Sequence, residues 1–302
     1  MTSQERSLNK LISLKDNLEK IEFENIKELI RETLFEMPLA TAILEKNSTI
    51  ERIRINGNRK FFTTQSELSY ISDEEIIKTC LKNYGRANKP FQSLFYGATE
   101  SSKIQVPRIT AYRETSRFFR ESNSILLEGE LFTRGTWKNK EDLKIVEIVF
   151  CEEVFKSNPD ILEYYKIQFQ QLNEYPEIAL KQLQFFSNEF ARKIKSNFDY
   201  KISAAFTDVV LYENQNSYAG IIYPSVQTNY EGNNIVLKPT IVDQHLELKS
   251  VSTHRFHRSS KKQFLVNYFY TEDLGSNKSN FVWDLSQCNE ELKIQESINM
   301  IQ

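Results

Sequence analysis

Cysteine and histidine, the side chains that most often cross-link a chain or hold a metal, are scarce in this sequence of 302 residues. The three cysteines, at positions 80, 151 and 288, lie far apart and in no ligand-like spacing. This pattern suits a reducing compartment better than a disulfide scaffold. His254 and His257 lie three positions apart without a third ligand, and arginines are interleaved with them, so we interpret the segment as solvated and basic. We expect no metal site.

A charge excess of either sign is also missing. Lys and Arg number 39 against 41 Asp and Glu, a net charge of -2, so no overall field attracts nucleic acid or an anionic membrane. The sequence has no run of about 18 apolar residues and no basic segment followed by an apolar stretch at its start. A glycine-rich phosphate loop is absent as well. We expect a cytoplasmic protein that contacts neither membrane nor nucleic acid.

Apolar residues make up 40% of the chain and aromatic residues 12%, which is ample material for a buried core. Residues 3–37 begin with a helical stripe formed by Leu11, Leu14, Leu18 and Ile21. The pattern predicts one long helix or a helical pair that ends at Pro38. An apolar stripe must be covered, either by a partner or second copy, or by the chain's own domain.

From position 49 the apolar period changes from helical to two, which predicts a β-strand. Arg52 and Arg54 then share one face of that strand. Arginines on a strand are often surface decoration, but two guanidinium groups side by side also suit a diphosphate. Alternating stretches after Pro239 predict a strand-rich tail.

A second pair of predicted strands surrounds a polar loop. The apolar run Ala219–Tyr223 stops at Pro224, and a second apolar run, 235–237, follows Gly232. Proline lacks an N–H and fits poorly inside a central strand, so Ser225 should lie at a strand end where its hydroxyl can face a cleft. The alternative is that this serine serves only the turn.

Five short motifs occur in one order along the chain, and together they resemble the RES domain, a family named for its Arg, Glu and Ser residues. They are Arg52-Ile-Arg54, Gly85-Arg86-Ala-Asn88, Tyr96, Thr110-Ala-Tyr-Arg-Glu114, and Gly220-Ile-Ile-Tyr-Pro-Ser225 with Asn234-Ile-Val-Leu. The match spans roughly residues 48–240.

The resemblance implies an α+β fold with an ADP-ribosyltransferase-like mixed β-sheet core and flanking helices. It places a RES-like catalytic domain over 48–245 and says nothing of the segments on either side. From their own patterns we predict an N-terminal helical extension over 1–47 and a strand-rich C-terminal extension over 246–302 packed on the core. The resemblance further implies NAD as substrate without a cofactor, and the role of a toxin in a bacterial toxin–antitoxin pair.

Site residues follow motif by motif from the same resemblance. Glu114, Arg52, Tyr96 and Ser225 are the expected catalytic residues, and Arg86, Arg54, Asn88 and Asn234 are the expected substrate-binding residues. Two alternatives stay open, because Glu100 lies in an insertion before Glu114 and is another candidate acid, and because Arg54 could share the role of Arg52.

These residue types suit cleavage of the nicotinamide–ribose bond. Positive charge grows on the ribose as the bond breaks, and the carboxylate of Glu114 can stabilise it. An aromatic face at Tyr96 can hold the cationic nicotinamide ring. We expect an enzyme that destroys NAD by hydrolysis or phosphorolysis. The alternatives are an ADP-ribosyltransferase acting on a protein or nucleic-acid target, and a non-catalytic interaction module. An antitoxin, and self-association through the N-terminal helices, are the expected protein contacts.

Overall fold

A mixed β-sheet is the centre of the computed structural model, which describes residues 2–35, 39–57, 61–120, 126–163, 165, 177–214, 218–260, 262–275 and 280–283. Within these residues nine strands form one sheet, in the order β1-β5-β6-β7-β3-β2-β4-β8-β9. The strands are β1 (Thr41–Leu44), β2 (Thr49–Ile55), β3 (Phe95–Thr99), β4 (Leu126–Asn139), β5 (Leu143–Glu147), β6 (Gly220–Pro224), β7 (Asn233–Leu237), β8 (Leu246–Arg258) and β9 (Gln263–Thr271). Only β5 and β6 pair in parallel, and the other described neighbours are antiparallel.

Helices cover the sheet, which makes the fold α+β as expected. They are α1 (Ser3–Leu14), α2 (Phe23–Leu34), α3 (Glu74–Cys80), α4 (Pro107–Thr115), α5 (Arg117–Arg120), α6 (Glu152–Ser157), α7 (Glu177–Ala191), α8 (Lys201–Asp208) and α9 (Pro239–His245). None of the helices that the described residues form is long and apolar enough to cross a bilayer.

Alternation along the central strands builds a core on each face of the sheet. Ile221 and Val236 pack in a cluster with residues of α1, α2, α7 and α8. Their neighbours Ile222 and Ile235 pack in a second cluster that contains Trp137. The sheet is therefore buried on both faces at its centre.

The N-terminal segment forms a helical pair, and its apolar stripe is covered by the chain itself. Thr2 and Glu5 close a capping box at the start of α1. Leu11 is fully buried and Leu18 is 3% exposed, and both belong to the cluster that contains α7 and α8. The stripe that suggested self-association through these helices therefore packs against the chain's own core, and self-association stays a prediction.

Buried ionic contacts fix the helical pair to the rest of the fold. Lys27 of α2 is 6% exposed, and its Nζ lies 2.7 Å from Asp208 Oδ2 and 2.6 Å from Glu213 Oε1. Lys201 of α8 donates to the backbone carbonyls of Leu18 and Ile21 at 2.9 and 2.8 Å. An unpaired buried charge is costly, so these pairings specify how the segment docks.

The strand-rich tail continues the same sheet, because β8 pairs along β4 and β9 pairs along β8. The interpretation of His254 and His257 as solvated was wrong, since the two side chains are only 8% and 2% exposed. The His254 ring lies 2.7 Å from Asn267 Oδ1 and 2.7 Å from Ser252 Oγ. Burial lowers the pKa of His254 to about 4.

Strands β2 and β3 separate after a short paired segment and leave an opening in the sheet. Strand β2 pairs with β4 along its whole length, from Thr49 to Ile55. With β3 it pairs only at Ile50 and Glu51, so the two strands are not paired beyond this point. The guanidinium of Arg52 donates to the backbone carbonyl of Tyr96 across the opening.

Candidate active site

A cavity of about 260 Å³ lies where β2 and β3 separate, beneath α4. Five of the residues that the motifs predicted line this cavity. The lining consists of Glu51, Arg52, Ile53, Arg86, Tyr96, Gly97, Ala111, Glu114, Thr115, Tyr200, Tyr223, Gln227 and Asn234. The sequence separates these residues widely, and the sheet brings them together.

Glu114 is held by two hydrogen-bond donors from other elements. Its Oε1 accepts from Ser225 Oγ at 2.6 Å and from Asn234 Nδ2 at 2.9 Å. Glu114 lies in the last turn of α4, where the helix macrodipole disfavours a negative charge. Two donors to the carboxylate offset that effect and fix the rotamer. The acid is therefore oriented before any ligand binds.

Ser225 follows β6 directly, as the sequence predicted, and it is fully buried behind Glu114. Its backbone closes the loop to β7, because Ser225 N donates to Gly232 O at 2.8 Å and Tyr230 N donates to Ser225 O at 2.9 Å. A Cβ on Gly232 would lie 2.1 Å from Thr110 Oγ1. Glycine is thus required for this loop to approach α4 closely enough for Ser225 to reach Glu114.

Tyr96 forms a fixed aromatic wall of the cavity. Its hydroxyl donates to Asn88 Oδ1 at 2.7 Å and accepts from Ala87 N at 3.2 Å. Burial raises the pKa of the phenol well above its ordinary value, so Tyr96 stays neutral. Asn88 was expected to bind substrate, but it is absent from the lining and lies behind Tyr96, whose ring it positions.

The two arginines of β2 have different surroundings. Arg52 lines the cavity, its guanidinium lies 5.1 Å from the Phe95 ring centre, and burial together with Arg54 lowers its pKa to about 10. Its Nε is buried without an acceptor among the described residues. Arg54 donates to Glu67 O at 2.7 Å and does not line the cavity. The geometry thus places Arg52 at the cavity and Arg54 in a structural contact.

Arg86 lines the cavity and also supports its wall. Its Nη1 donates to the carbonyls of Phe190 and Arg192, at the carboxyl end of α7. The guanidinium lies 5.0 Å from the centre of the Tyr200 ring. Arg86 therefore contributes positive charge to the cavity while two backbone carbonyls hold it in place.

Glu100, the alternative acid, does not reach this cavity. It is exposed just after β3 and lines two other cavities. Of the two candidates, only Glu114 lies beside Arg52 and Tyr96.

Several lining residues were not expected from the sequence, among them Glu51, Tyr200 and Tyr223. Glu51 is 6% exposed, burial raises its pKa, and its Oε2 accepts from Thr136 Oγ1 at 3.1 Å. Alternation along β2 predicts that Glu51 and Arg52 point to opposite faces of the sheet, but it does not predict that both line the cavity. Tyr223 lies within the motif that ends at Ser225, whereas Tyr200 had no comparable signal.

No family model and no curated protein matches this chain. Among the described residues, no group of three or more His, Cys, Asp or Glu side chains is placed to hold a metal. The structure is an α+β fold in which a polar cavity at the sheet opening is lined by the positioned carboxylate of Glu114, by Glu51, by two arginines and by the fixed ring of Tyr96.

Proposed function

We propose that this chain binds NAD in the cavity at the sheet opening and cleaves the bond between nicotinamide and ribose. The observation that carries the proposal is the carboxylate of Glu114, held by Ser225 and Asn234 in a cavity that Arg52 and Tyr96 also line. An ADP-ribosyltransferase-like fold of the RES type is part of the same proposal, supported by the motif order and by the α+β sheet.

Cleavage would begin with departure of nicotinamide, which takes the electron pair of the C1′–N bond and leaves positive charge on C1′ and the ring oxygen of the ribose. A fixed carboxylate stabilises this charge most in the transition state, and so lowers the barrier. Water or phosphate then attacks C1′. Attack by water releases one proton and gives ADP-ribose, whereas attack by phosphate gives the ribose 1-phosphate derivative.

Recognition would combine charge and stacking. The positive charges of Arg52 and Arg86 favour the diphosphate, and guanidinium donors can bind its oxygens in pairs. The Tyr96 ring offers a face to the cationic nicotinamide, an interaction of about 0.5–2 kcal/mol. A volume of about 260 Å³ lies below the roughly 300–1,000 Å³ of drug-sized sites, so the cavity would receive one end of the dinucleotide.

In the cell, such an activity would deplete NAD and arrest growth. We therefore propose a cytoplasmic toxin or defence effector that a cognate antitoxin restrains. ADP-ribosyl transfer to a macromolecule would use the same intermediate with a different nucleophile.

The test is to incubate the purified full chain with NAD alone, with NAD and phosphate, and with NAD and a cell extract, and to follow nicotinamide and ribosyl products by chromatography and mass spectrometry. Release of nicotinamide with free ADP-ribose supports hydrolysis, and formation of the phosphorylated product supports phosphorolysis. ADP-ribose that is found only attached to macromolecules of the extract would identify a transferase. A folded protein that neither binds nor consumes NAD would overturn the proposal and leave an interaction module.

A further inference from the structure

A second cavity, of about 700 Å³, lies at one end of the sheet and is unrelated to the cavity of Glu114. Carboxylates from three separate segments line it, namely Glu100 after β3, Glu147 at the end of β5 and Glu231 before β7. Lys103 is the one cationic residue among its described lining. We refer to it as the acidic cavity.

The carboxylate of Glu147 is half-buried and has no hydrogen bond or ion pair with any described residue. Burial of the Glu147 carboxylate raises its pKa above the ordinary value of a glutamate. A desolvated carboxylate without a partner lowers the free energy of unfolding. Carboxylates of this kind are common at binding sites, where the ligand supplies the opposite charge.

The amide of Asn158 provides a second observation at the same cavity. Asn158, which follows α6, is 3% exposed and lines the acidic cavity, and no residue that the structure describes donates a hydrogen bond to its buried Oδ1. Its Nδ2 donates to Ser102 Oγ at 2.5 Å, which fixes the amide. Buried acceptors are rarely left unpaired in folded proteins. A ligand with a hydrogen-bond donor could supply the donor that this oxygen lacks.

Three apolar side chains, Val149, Val154 and Ile161, lie beside the carboxylates, and the remaining lining residues are polar. The acidic groups of the described chain are not clustered as metal ligands. A metal ion would gain nothing from the apolar wall, whereas an aliphatic stem with a charged end would use both surfaces.

We propose that the acidic cavity binds an organic cation, an ammonium or guanidinium group on an aliphatic stem. The charge would lie beside Glu147 with Glu100 as its second acidic neighbour, Asn158 would accept a hydrogen bond, and the stem would lie on the valine and isoleucine side chains. A polyamine and a basic side chain of a peptide share this chemistry.

The acidic cavity and the Glu114 cavity have no lining residue in common, although Asn233 lines the first and its neighbour Asn234 the second. Binding at the acidic cavity can therefore be tested without any assumption about NAD.

The test is isothermal titration calorimetry on the full chain with spermidine, with a blocked Gly-Lys-Gly peptide, and with CaCl₂. Either organic cation should bind, and Glu147→Gln should weaken binding at least about tenfold. Glu152→Gln is the matched control, because Glu152 is an exposed acid outside this cavity. Stronger binding of spermidine would identify a small-molecule ligand, and stronger binding of the peptide a protein partner.

Thermal unfolding gives an independent measure. Without ligand, Glu147→Gln should raise the Tm by about 2–4 °C, because it removes an unpaired half-buried charge. Glu100→Gln provides a second, exposed variant that should also weaken cation binding. The proposal is overturned if neither organic cation binds, if Ca²⁺ alone binds, or if Glu152→Gln weakens binding as much as Glu147→Gln.

Discussion

Replacement of Glu114 by Gln tests the role of its charge, because the amide keeps the shape of the side chain. The amide oxygen can still accept from Ser225 and Asn234, which now lie 2.6 and 2.9 Å from Oε1. Changing two charge-assisted hydrogen bonds to neutral ones should cost about 1–3 kcal/mol in unfolding free energy. Relief of the unfavourable position at the end of α4 returns about 0.3–1 kcal/mol. We expect Glu114→Gln to remain folded.

The effect on turnover should be larger than the effect on stability. Loss of one preorganised electrostatic group commonly costs about 10²–10³-fold in kcat, or about 2.7–4 kcal/mol of transition-state stabilisation. Because the charge matters most in the transition state, NAD binding should change much less than kcat. The assay is release of nicotinamide under saturating NAD, together with NAD affinity from calorimetry and unfolding in urea.

Glu100→Gln is the control for this experiment, since it makes the same chemical change outside the cavity. Its turnover should equal that of the wild type. The reasoning is refuted if a folded Glu114→Gln protein releases nicotinamide at the normal rate, or if Glu100→Gln abolishes release.

Three further predictions concern stability. Lys27→Met should lower the unfolding free energy by about 1–3 kcal/mol in urea titrations, because Asp208 and Glu213 lose their buried partner and keep Lys89 and Arg31 as ion-pair partners. The exposed Lys10→Met should change it by less than about 0.5 kcal/mol, and equal losses would contradict the docking role. The pKa of His254 is lowered to about 4 in the folded protein, so between about pH 6.5 and 4 the unfolded chain binds a proton that the folded chain does not. About 3 kcal/mol of unfolding free energy should therefore be lost as the pH falls through this range. His254→Gln should flatten this dependence of stability on pH, and an unchanged dependence in the variant would contradict the role of His254. Gly232→Ala should lower the unfolding free energy by about 1–3 kcal/mol and reduce turnover, because the added Cβ meets Thr110. The double variant Gly232→Ala/Thr110→Ala should recover part of the lost stability and part of the lost turnover. No recovery of either would contradict the close contact.

Local patterns were sufficient to predict much of the architecture. The period of two after position 49 predicted β2, and the proline at position 224 predicted that β6 ends just before Ser225. Both depend on short-range geometry, namely alternation along a strand and a missing N–H. The apolar period at the N-terminus predicted helix in the same way, but it left open whether the segment forms one long helix or the observed pair.

The partners of a side chain were harder to predict than its element. The stripe through Leu11 and Leu18 showed that something covers it, but tertiary packing decides whether that is the same chain or another. Arg52 and Arg54 share a strand face, yet only the first lines the cavity, because β2 and β3 separate beside it. His254 had a polar sequence context and is nevertheless buried between β4 and β9, since its sheet neighbours come from distant segments.

The long sequence separation within the Glu114 site has a consequence for synthesis of the protein. Ser225 and Asn234 follow Glu114 by 111 and 120 residues, and β7, which flanks β3, is made after both β2 and β4. At about 5–20 residues per second, a ribosome needs about 6–24 s to proceed from the acid to the last of its donors. Nonlocal pairings of this kind form late in folding. A nascent chain therefore carries an unanchored acid while at least 120 further residues are added, and the proposed activity would begin only after Asn234 has been translated.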